Sequence, residues 1–180
     1  MMRIEHERGP VELRDALPGD EAALLGLFEE CAEWFEAATG LPPGPGDVQS
    51  LCYALPEGAA AEAKRLWVVE AVRGGGGLLG VVDAVVGHPG PGGVAVGLFL
   101  LAPRARRVGL GSAVAGALLE RARERGVCRV TATVPEGWVP GARFLAAVGF
   151  EVAGGAVKSV AGNRRVGPRE GAVRRAVWTA

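Results

Sequence analysis

The feature that most constrains this sequence is an apolar strand followed by a glycine-containing turn, a helix and a second strand. Residues 94–101 are a nearly continuous apolar run, which is typical of a strand buried on both faces. Residues 109–125 form a predicted helix that Gly126 closes, with arginines in the last turn, where the helix dipole favours cations. Residues 128–134 alternate apolar and polar side chains, which predicts another strand. We therefore expect an α+β fold.

The rest of the chain supplies the other elements of this fold. The patterns predict strands near 11–14, 66–73, 78–86, 150–157 and 172–178, and helices over 20–38, 47–65 (broken at Pro56) and 138–148. A turn at 74–77 and a surface loop at 158–171 join neighbouring strands. With no internal repeat or long linker, residues 1–180 are predicted to form one domain of about seven strands and about four helices.

Composition excludes several classes of protein. The 20 Lys and Arg balance the 20 Asp and Glu, so a chain that coats nucleic acid or an anionic membrane is not expected. A hydrophobic content of 49% argues against wholesale disorder. The three cysteines, Cys31, Cys52 and Cys128, have no C-x-x-C spacing, so we expect no metal site and no disulfide framework.

The sequence also lacks the patterns expected of a secreted or membrane-spanning protein. Residues 1–10 lack the apolar segment of a secretory signal, and no apolar run reaches the ~20 residues of a membrane helix. The many arginines and glycines are typical of a GC-rich bacterial genome. We therefore expect a cytoplasmic bacterial protein.

Two glycine-rich stretches could bind phosphate, and the first has the wrong context. Residues 75–80 match G-x-G-x-x-G, but a dinucleotide-binding loop must open a helix. The next residues, 81–86, are strand formers, so a hairpin turn is favoured over a dinucleotide site.

The second stretch, Arg-Arg-Val-Gly-Leu-Gly at 106–111, follows the apolar strand and opens the helix. Its glycines let the backbone approach a ligand, and the amides of the first helical turn suit a pyrophosphate. The two arginines can add charge-assisted contacts, and the Ser112 hydroxyl lies in the same turn. The alternative is a strand–helix connection whose glycines serve only tight packing, and spacing alone leaves both interpretations open.

In this context the sequence resembles the GNAT superfamily of acyl-CoA-dependent N-acetyltransferases. The family signature, R/Q-x-x-G-x-G/A, is met by Arg106, Gly109 and Gly111. Residues 97–103 resemble the family's fourth strand with its following proline, and residues 145–150 resemble the stretch that ends in Gly-Phe. The order of elements agrees over nearly the whole chain.

The resemblance implies a mixed, mostly antiparallel sheet whose fourth and fifth strands are parallel but splay apart. The splay would free backbone groups to pair with the pantetheine of acetyl-CoA, and the glycine turn would hold its pyrophosphate. The residues implied to bind acetyl-CoA are Phe99, Leu100, Leu101, Arg106, Arg107, Val108, Gly109, Leu110, Gly111, Ser112, Phe144 and Leu145. The resemblance also implies that the second substrate is an amine and that no metal is needed. A homodimer is one possible assembly, because members of this family often dimerise.

The sequence departs from the family pattern at the catalytic acid. Many members carry a tyrosine four residues before the glycine of Gly-Phe, but Leu145 stands there and the chain's only tyrosine is Tyr53. Trp138 replaces an asparagine often found at the start of the last helix. Two functions therefore stay open: an N-acetyltransferase that works by direct attack of the amine on the thioester, and an acyl-CoA-binding module without turnover.

Three side chains are candidates for the base that takes a proton from the amine. Asp83 lies on a predicted strand, where burial would raise its pKa, although a solvated or arginine-paired carboxylate is the alternative. Histidine is a common base in enzymes that work at neutral pH, but His88 lies in a His-Pro-Gly turn, and Glu136 follows the fifth strand in an exposed loop. The resemblance also implies that the first helix, with Glu33, Trp34 and Glu36, can border the acceptor site, and an ordinary amphipathic helix is the alternative.

Overall fold

One mixed sheet organises the computed structural model, which describes residues 1–73, 77–155, 157–158 and 172–180. Its strands are β1 (Met2–Ile4), β2 (Val11–Asp15), β3 (Lys64–Ala71), β4 (Gly80–Val86), β5 (Gly93–Leu101), β6 (Arg129–Pro135), β7 (Glu151–Val152), β8 (Val157–Lys158) and β9 (Ala172–Thr179). Its helices are α1 (Glu21–Glu30), α2 (Ala32–Thr39), α3 (Pro45–Tyr53), α4 (Leu110–Glu124) and α5 (Val139–Ala147). The strand order is β1-β2-β3-β4-β5-β6-β9-β7, and β8 also pairs with β9.

The pairing confirms the predicted fold class. Every paired neighbour in this sheet is antiparallel except β5 and β6, which are parallel and are joined by α4. Their parallel register covers only Gly93–Val96 against Arg129–Ala132. Beyond Val96 the two strands separate, as the resemblance implied.

A β-bulge lies where the two strands begin to separate. Asp83 of β4 is opposite Leu98, but its neighbour Ala84 is opposite Val96, so Gly97 is the extra residue on β5. The bulge restarts the alternation of side chains along β5. As a result, Val96 and Phe99 lie on the same face of the sheet although they are three positions apart, an offset that puts side chains on opposite faces of a regular strand.

The prediction that the apolar strand is buried on both faces is wrong for most of β5. Gly93, Leu100 and Leu101 are buried, whereas Gly97 is exposed and the remaining residues of the strand are half-buried. Two causes contribute: β6 no longer covers the edge of β5 at residues 97–99, and Val94 and Val96 face an apolar cavity instead of packed side chains.

The helices cover both faces of the sheet. Leu24 of α1 and Cys52 of α3 line a cleft with Leu66 of β3, so α1 and α3 lie on the face that carries Leu66. Helices α4 and α5 lie on the opposite face, together with Val82 and Phe99.

Element counts among the described residues exceed the predicted ones, at nine strands and five α-helices. The extra strands are β1, which is too short to show a pattern, and the division of the predicted strand 150–157 into β7 and β8. The predicted helix 47–65 is also wrong beyond Tyr53, because β3 begins at Lys64. The turn predicted at 74–77 and the loop predicted at 158–171 fall largely outside the described residues.

Candidate functional site

The gap between the splayed strands is the centre of the candidate site. Over Gly97–Leu101, one edge of β5 pairs with β4 and the other edge has lost β6. Backbone N–H and C=O groups on such an edge can pair with an extended ligand as an added strand would. The gap therefore offers a binding edge that leads from the bulge to the turn after β5.

The turn after β5 leads into the N-terminus of α4 through two residues of left-handed conformation. Arg107 and Gly109 both have positive φ, 61° and 82°, and Gly109 is the N-cap of α4. A non-glycine residue such as Arg107 in this conformation carries about 1–3 kcal/mol of backbone strain. Strained residues of this kind are common in ligand-binding turns. Helices α1, α2 and α3 carry Glu21, Glu33 and Asp47 in their first turns, whereas α4 and α5 carry no acidic residue there. The partial positive charge at this end of α4 is thus not matched by a local carboxylate.

Four of the residues implied to bind acetyl-CoA touch one another beside the gap. A Cβ on Gly111 would lie 3.0 Å from Phe144 Cε2 and 3.4 Å from Leu101 Cδ1. The Phe144 ring also packs on Phe99, with 5.1 Å between ring centroids. Glycine at position 111 therefore lets the start of α4 lie close to the end of β5 and to α5.

Arg106 contacts protein groups rather than open solvent. Its Nε donates to the Leu101 carbonyl at 2.7 Å, and a terminal nitrogen donates to Glu33 at 2.6 Å. Its other terminal nitrogen lies 3.2 Å from the Cys31 sulfur, and its guanidinium carbon is 6.0 Å from the Trp138 ring. Arg106 thus ties the end of β5 to α2 and to the start of α5, and its phosphate contact stays a prediction.

Cys31 explains why the predicted helix 20–38 is two helices. Its backbone leaves helical geometry (φ −106°, ψ 24°), which ends α1 and starts α2. The Cys31 thiol is buried and donates to the Leu101 carbonyl at 3.4 Å. Burial raises the pKa of this thiol, and Arg106 only partly opposes the rise. Cys31 is therefore a neutral packing residue that holds the end of β5.

His6 supports the glycine turn, and the sequence analysis missed it. Its Nε2 lies 2.7 Å from the Val108 carbonyl, and its Nδ1 accepts a bond from the Arg8 amide at 3.3 Å. Because the carbonyl can only accept, Nε2 must carry the hydrogen. Nothing in the sequence pattern around His6 marks it, since the contact joins positions about a hundred residues apart.

Asp83 is paired with lysine, not with arginine as the alternative interpretation had it. The Lys64 ammonium donates to Asp83 at 2.8 Å, and these side chains are only 10% and 14% exposed. Burial raises the pKa of the Asp83 carboxyl, whereas Lys64 lowers it. Asp83 Oδ2 lies 2.6 Å from where a Cβ on Gly97 would be, so the carboxylate is beside the residue at which the strands separate.

The other two candidate bases lie apart from Asp83. His88 is half-buried in the loop between β4 and β5, at the end of β5 that is opposite to the glycine turn. Glu136 is exposed just after β6, and its amide donates to the Ala172 carbonyl. The fold therefore does not bring the three candidates into one cluster, and their roles stay predictions.

Tyr53 and Leu145 lie on different faces of the sheet. Tyr53 is the last residue of α3, is 77% exposed, and lines the cleft that Lys64 also lines. Leu145 lines an apolar cavity on the other face, together with Phe99 and Phe144. The side chain at the usual tyrosine position and the chain's only tyrosine are thus separated by the sheet.

Neither a cluster of metal ligands nor a membrane-spanning helix occurs in the part of the chain that the structure describes. Among residues 1–73, 77–155 and 172–180, no three His, Cys, Asp or Glu side chains are grouped as metal ligands would be. In the described part of the chain, none of the helices has the length and apolar character needed to cross a bilayer.

Comparisons with known proteins agree with this geometry. Residues 28–150 match the family described as acetyltransferase (GNAT) family. No curated protein is significantly similar to the sequence. Among solved structures, an acetyltransferase from Thermus thermophilus is 22% identical with a TM-score of 0.67, over 99% of this chain and 100% of that chain.

Two further solved structures have the same fold at lower identity. The ribosomal-protein-alanine N-acetyltransferase of Brucella melitensis is 20% identical with a TM-score of 0.64, over 94% of this chain and 99% of that chain. The spermidine N-acetyltransferase of Vibrio cholerae, solved with CoA and spermine, is 15% identical with a TM-score of 0.67, over 94% and 95% of the two chains.

Proposed function

We propose that this chain, which belongs to the acetyltransferase (GNAT) family, transfers an acetyl group from acetyl-CoA to the amine of an acceptor. The observation that carries the proposal is the open edge of β5, which leads to the N-terminus of α4. An extended pantetheine can pair with the edge, while the pyrophosphate lies against the first turn of the helix. The extent of the domain, the homodimer and the cytoplasmic location stay predictions.

The acceptor amine approaches from the face of the sheet that carries Asp83. Acetyl-CoA binds along the gap, and the Asp83 carboxylate lies beside Gly97 on the face opposite to Phe99. The amine nitrogen attacks the thioester carbonyl carbon, the carbon–sulfur bond breaks, and the acetyl group stays on nitrogen. A backbone N–H near Leu100 or Leu101 stabilises the oxyanion, and a proton from the amine passes to Asp83.

The role of Asp83 predicts a specific pH dependence. Asp83 must be ionised to accept a proton, so kcat/KM falls as the pH drops through its pKa, which burial raises above the ordinary value of 3.8. Lys64→Met removes the charge that opposes this rise, so the acidic limb of the profile should move to higher pH. Lys64→Arg keeps the charge and should leave the limb near its original position.

Asp83→Asn completes this test. It should lower turnover at neutral pH by about a hundredfold or more while acetyl-CoA still binds, because the amide cannot accept the proton. Unchanged turnover of Asp83→Asn across the pH range would remove Asp83 from the mechanism and leave it a structural partner of Lys64.

His6 should act on cofactor affinity rather than on the chemical step. His6→Phe keeps an aromatic ring but cannot donate to Val108, so KM for acetyl-CoA should rise about fivefold, the value of one hydrogen bond. His6→Gln keeps a donor and should restore most of the affinity. Steady-state kinetics with varied acetyl-CoA separates the two parameters. A fall in kcat at saturating acetyl-CoA, with KM unchanged, contradicts this positioning role.

A second candidate function is an acyl-CoA-binding module without turnover, and Leu145 at the usual tyrosine position favours it. The two functions are separated by calorimetry with acetyl-CoA followed by an assay of free CoA release with a panel of primary amines. Amine-dependent CoA release supports the transferase. Binding without release from any amine supports the module, and absence of binding contradicts both functions.

A further inference from the structure

A large apolar cavity lies between the sheet and helices α4 and α5. Its volume is about 380 Å³, and its walls are formed mainly by aliphatic and aromatic side chains. Leu118 and Leu119 of α4 face it, as do Val94 and Val96 of β5, and all four are only half-buried although they lie between a helix and a sheet. Side chains in such a position are normally closely packed, so this space is unusual in a small domain.

The cavity extends well beyond the gap between β5 and β6. The family resemblance also implies that Phe144 and Leu145 flank the thioester, and both residues line this cavity. Trp67 of β3 and Ala84 of β4 also line it, and neither strand borders the gap. The space is therefore continuous with the candidate acyl position but reaches two strands further across the sheet.

The direction of the cofactor points its acyl group into this space. With the pyrophosphate at the start of α4, pantetheine runs along β5 from Leu101 toward Gly97, and its thioester is the far end. As the connection between parallel strands, α4 runs antiparallel to β5, so Ala122, about 16 Å along the helix from Gly111, is level with Val96. An acyl chain that continues past Gly97 meets the part of the cavity between Val96 and Ala122.

We propose that this cavity binds the acyl chain of longer donors, so that a straight acyl-CoA of about six carbons is used in addition to acetyl-CoA and is preferred over it. This inference rests on the proposed acyl-CoA-dependent transfer. An apolar cavity of about 150 Å³ is enough to bind benzene, so about 380 Å³ accommodates a six-carbon chain. The lining is mainly apolar, with four charged residues (Asp15, Arg65, Arg121 and Arg125), so it suits a hydrocarbon chain.

Burial of the acyl chain in the cavity should strengthen the binding of the acyl-CoA. Each methylene transferred from water to an apolar site tightens binding by about fourfold. Hexanoyl-CoA should therefore bind at least tenfold more tightly than acetyl-CoA even if the chain is only partly buried. Its kcat/KM with the same amine should rise by a similar factor.

Filling the cavity tests the site itself. Ala122→Leu places a larger side chain in the cavity at the level of Val96, away from the glycine turn. This variant should bind hexanoyl-CoA at least tenfold more weakly than the parent protein does. Binding of acetyl-CoA should stay within about twofold, because its short acyl group does not reach this level. Ala84→Leu narrows the same cavity from β4 and serves as a second variant if the first does not fold. Ala22→Leu makes the same substitution at an exposed position of α1 and should change neither ligand.

The experiment is calorimetry with acetyl-CoA and hexanoyl-CoA on the full chain and on each variant, followed by CoA-release kinetics. Tighter binding of hexanoyl-CoA, lost on filling the cavity, supports the proposal. Equal or weaker binding of hexanoyl-CoA beside normal binding of acetyl-CoA overturns it and leaves the proposed function standing. Failure of both ligands to bind contradicts the proposed function itself.

Discussion

Replacing Gly111 by valine should lower the affinity for acetyl-CoA by more than tenfold. A Cβ at this position would lie 3.0 Å from the Phe144 ring and 3.4 Å from the Leu101 side chain, so a branched side chain would crowd both residues beside the turn proposed to hold the pyrophosphate. Phe144 would have to move, and with it the ring of Phe99 beside the gap. A tenfold loss corresponds to only about 1.4 kcal/mol, which two such disturbances readily exceed. Calorimetric titration with acetyl-CoA measures the change.

Gly116→Val is the matched control for this substitution. Gly116 lies on the same helix, is exposed, and a Cβ there would meet no atom within 4 Å. Both variants replace glycine by valine in the same helix, so they share the same change in helix propensity. A difference in affinity between them is therefore caused by the location of residue 111. Near-normal affinity of Gly111→Val, with the far-UV circular dichroism of the parent protein, contradicts the role of this turn in binding the cofactor.

Replacing Leu145 by tyrosine should raise turnover at saturating acetyl-CoA by about tenfold or more. No side chain that could donate a proton to the departing thiolate stands at this position, and general-acid assistance typically contributes about 10²–10⁴-fold. A phenol at position 145 would supply the proton from where family members usually carry it. The side chain is half-buried at the cavity wall, so the larger ring has space to enter.

Two controls separate acid catalysis from the effect of size. Leu145→Phe adds the same ring without the hydroxyl and should not raise turnover, since any change it causes comes from packing. Tyr53→Phe should change little, because Tyr53 is exposed on the opposite face of the sheet. Loss of all turnover in Tyr53→Phe, with acetyl-CoA still bound, would show that a displaced tyrosine serves as the acid. An equal gain in Leu145→Phe would contradict the acid role.

The glycine turn could be predicted because the residues that define it are adjacent in the sequence. Residues 106–111 contain the fixed positions of the family signature, and the strand before them and the helix after them have clear local patterns. Gly109 is the left-handed N-cap of α4, a conformation that glycine adopts without strain. The burial of β5 could not be predicted in the same way, since an apolar run does not reveal that the neighbouring strand leaves after Val96.

The sequence by itself determined the order of the main strands and helices, the turn that opens α4, and the missing tyrosine at Leu145, because each depends on residues adjacent in the chain. It did not show strand β1 or the break between α1 and α2. Only the tertiary structure decided which distant groups meet: His6 with Val108, Asp83 with Lys64, and Arg106 with Glu33. It alone also revealed the cavity beneath α4. Contacts and voids of this kind depend on how separate elements pack, and periodicity within one element carries no information about the partner on which it packs.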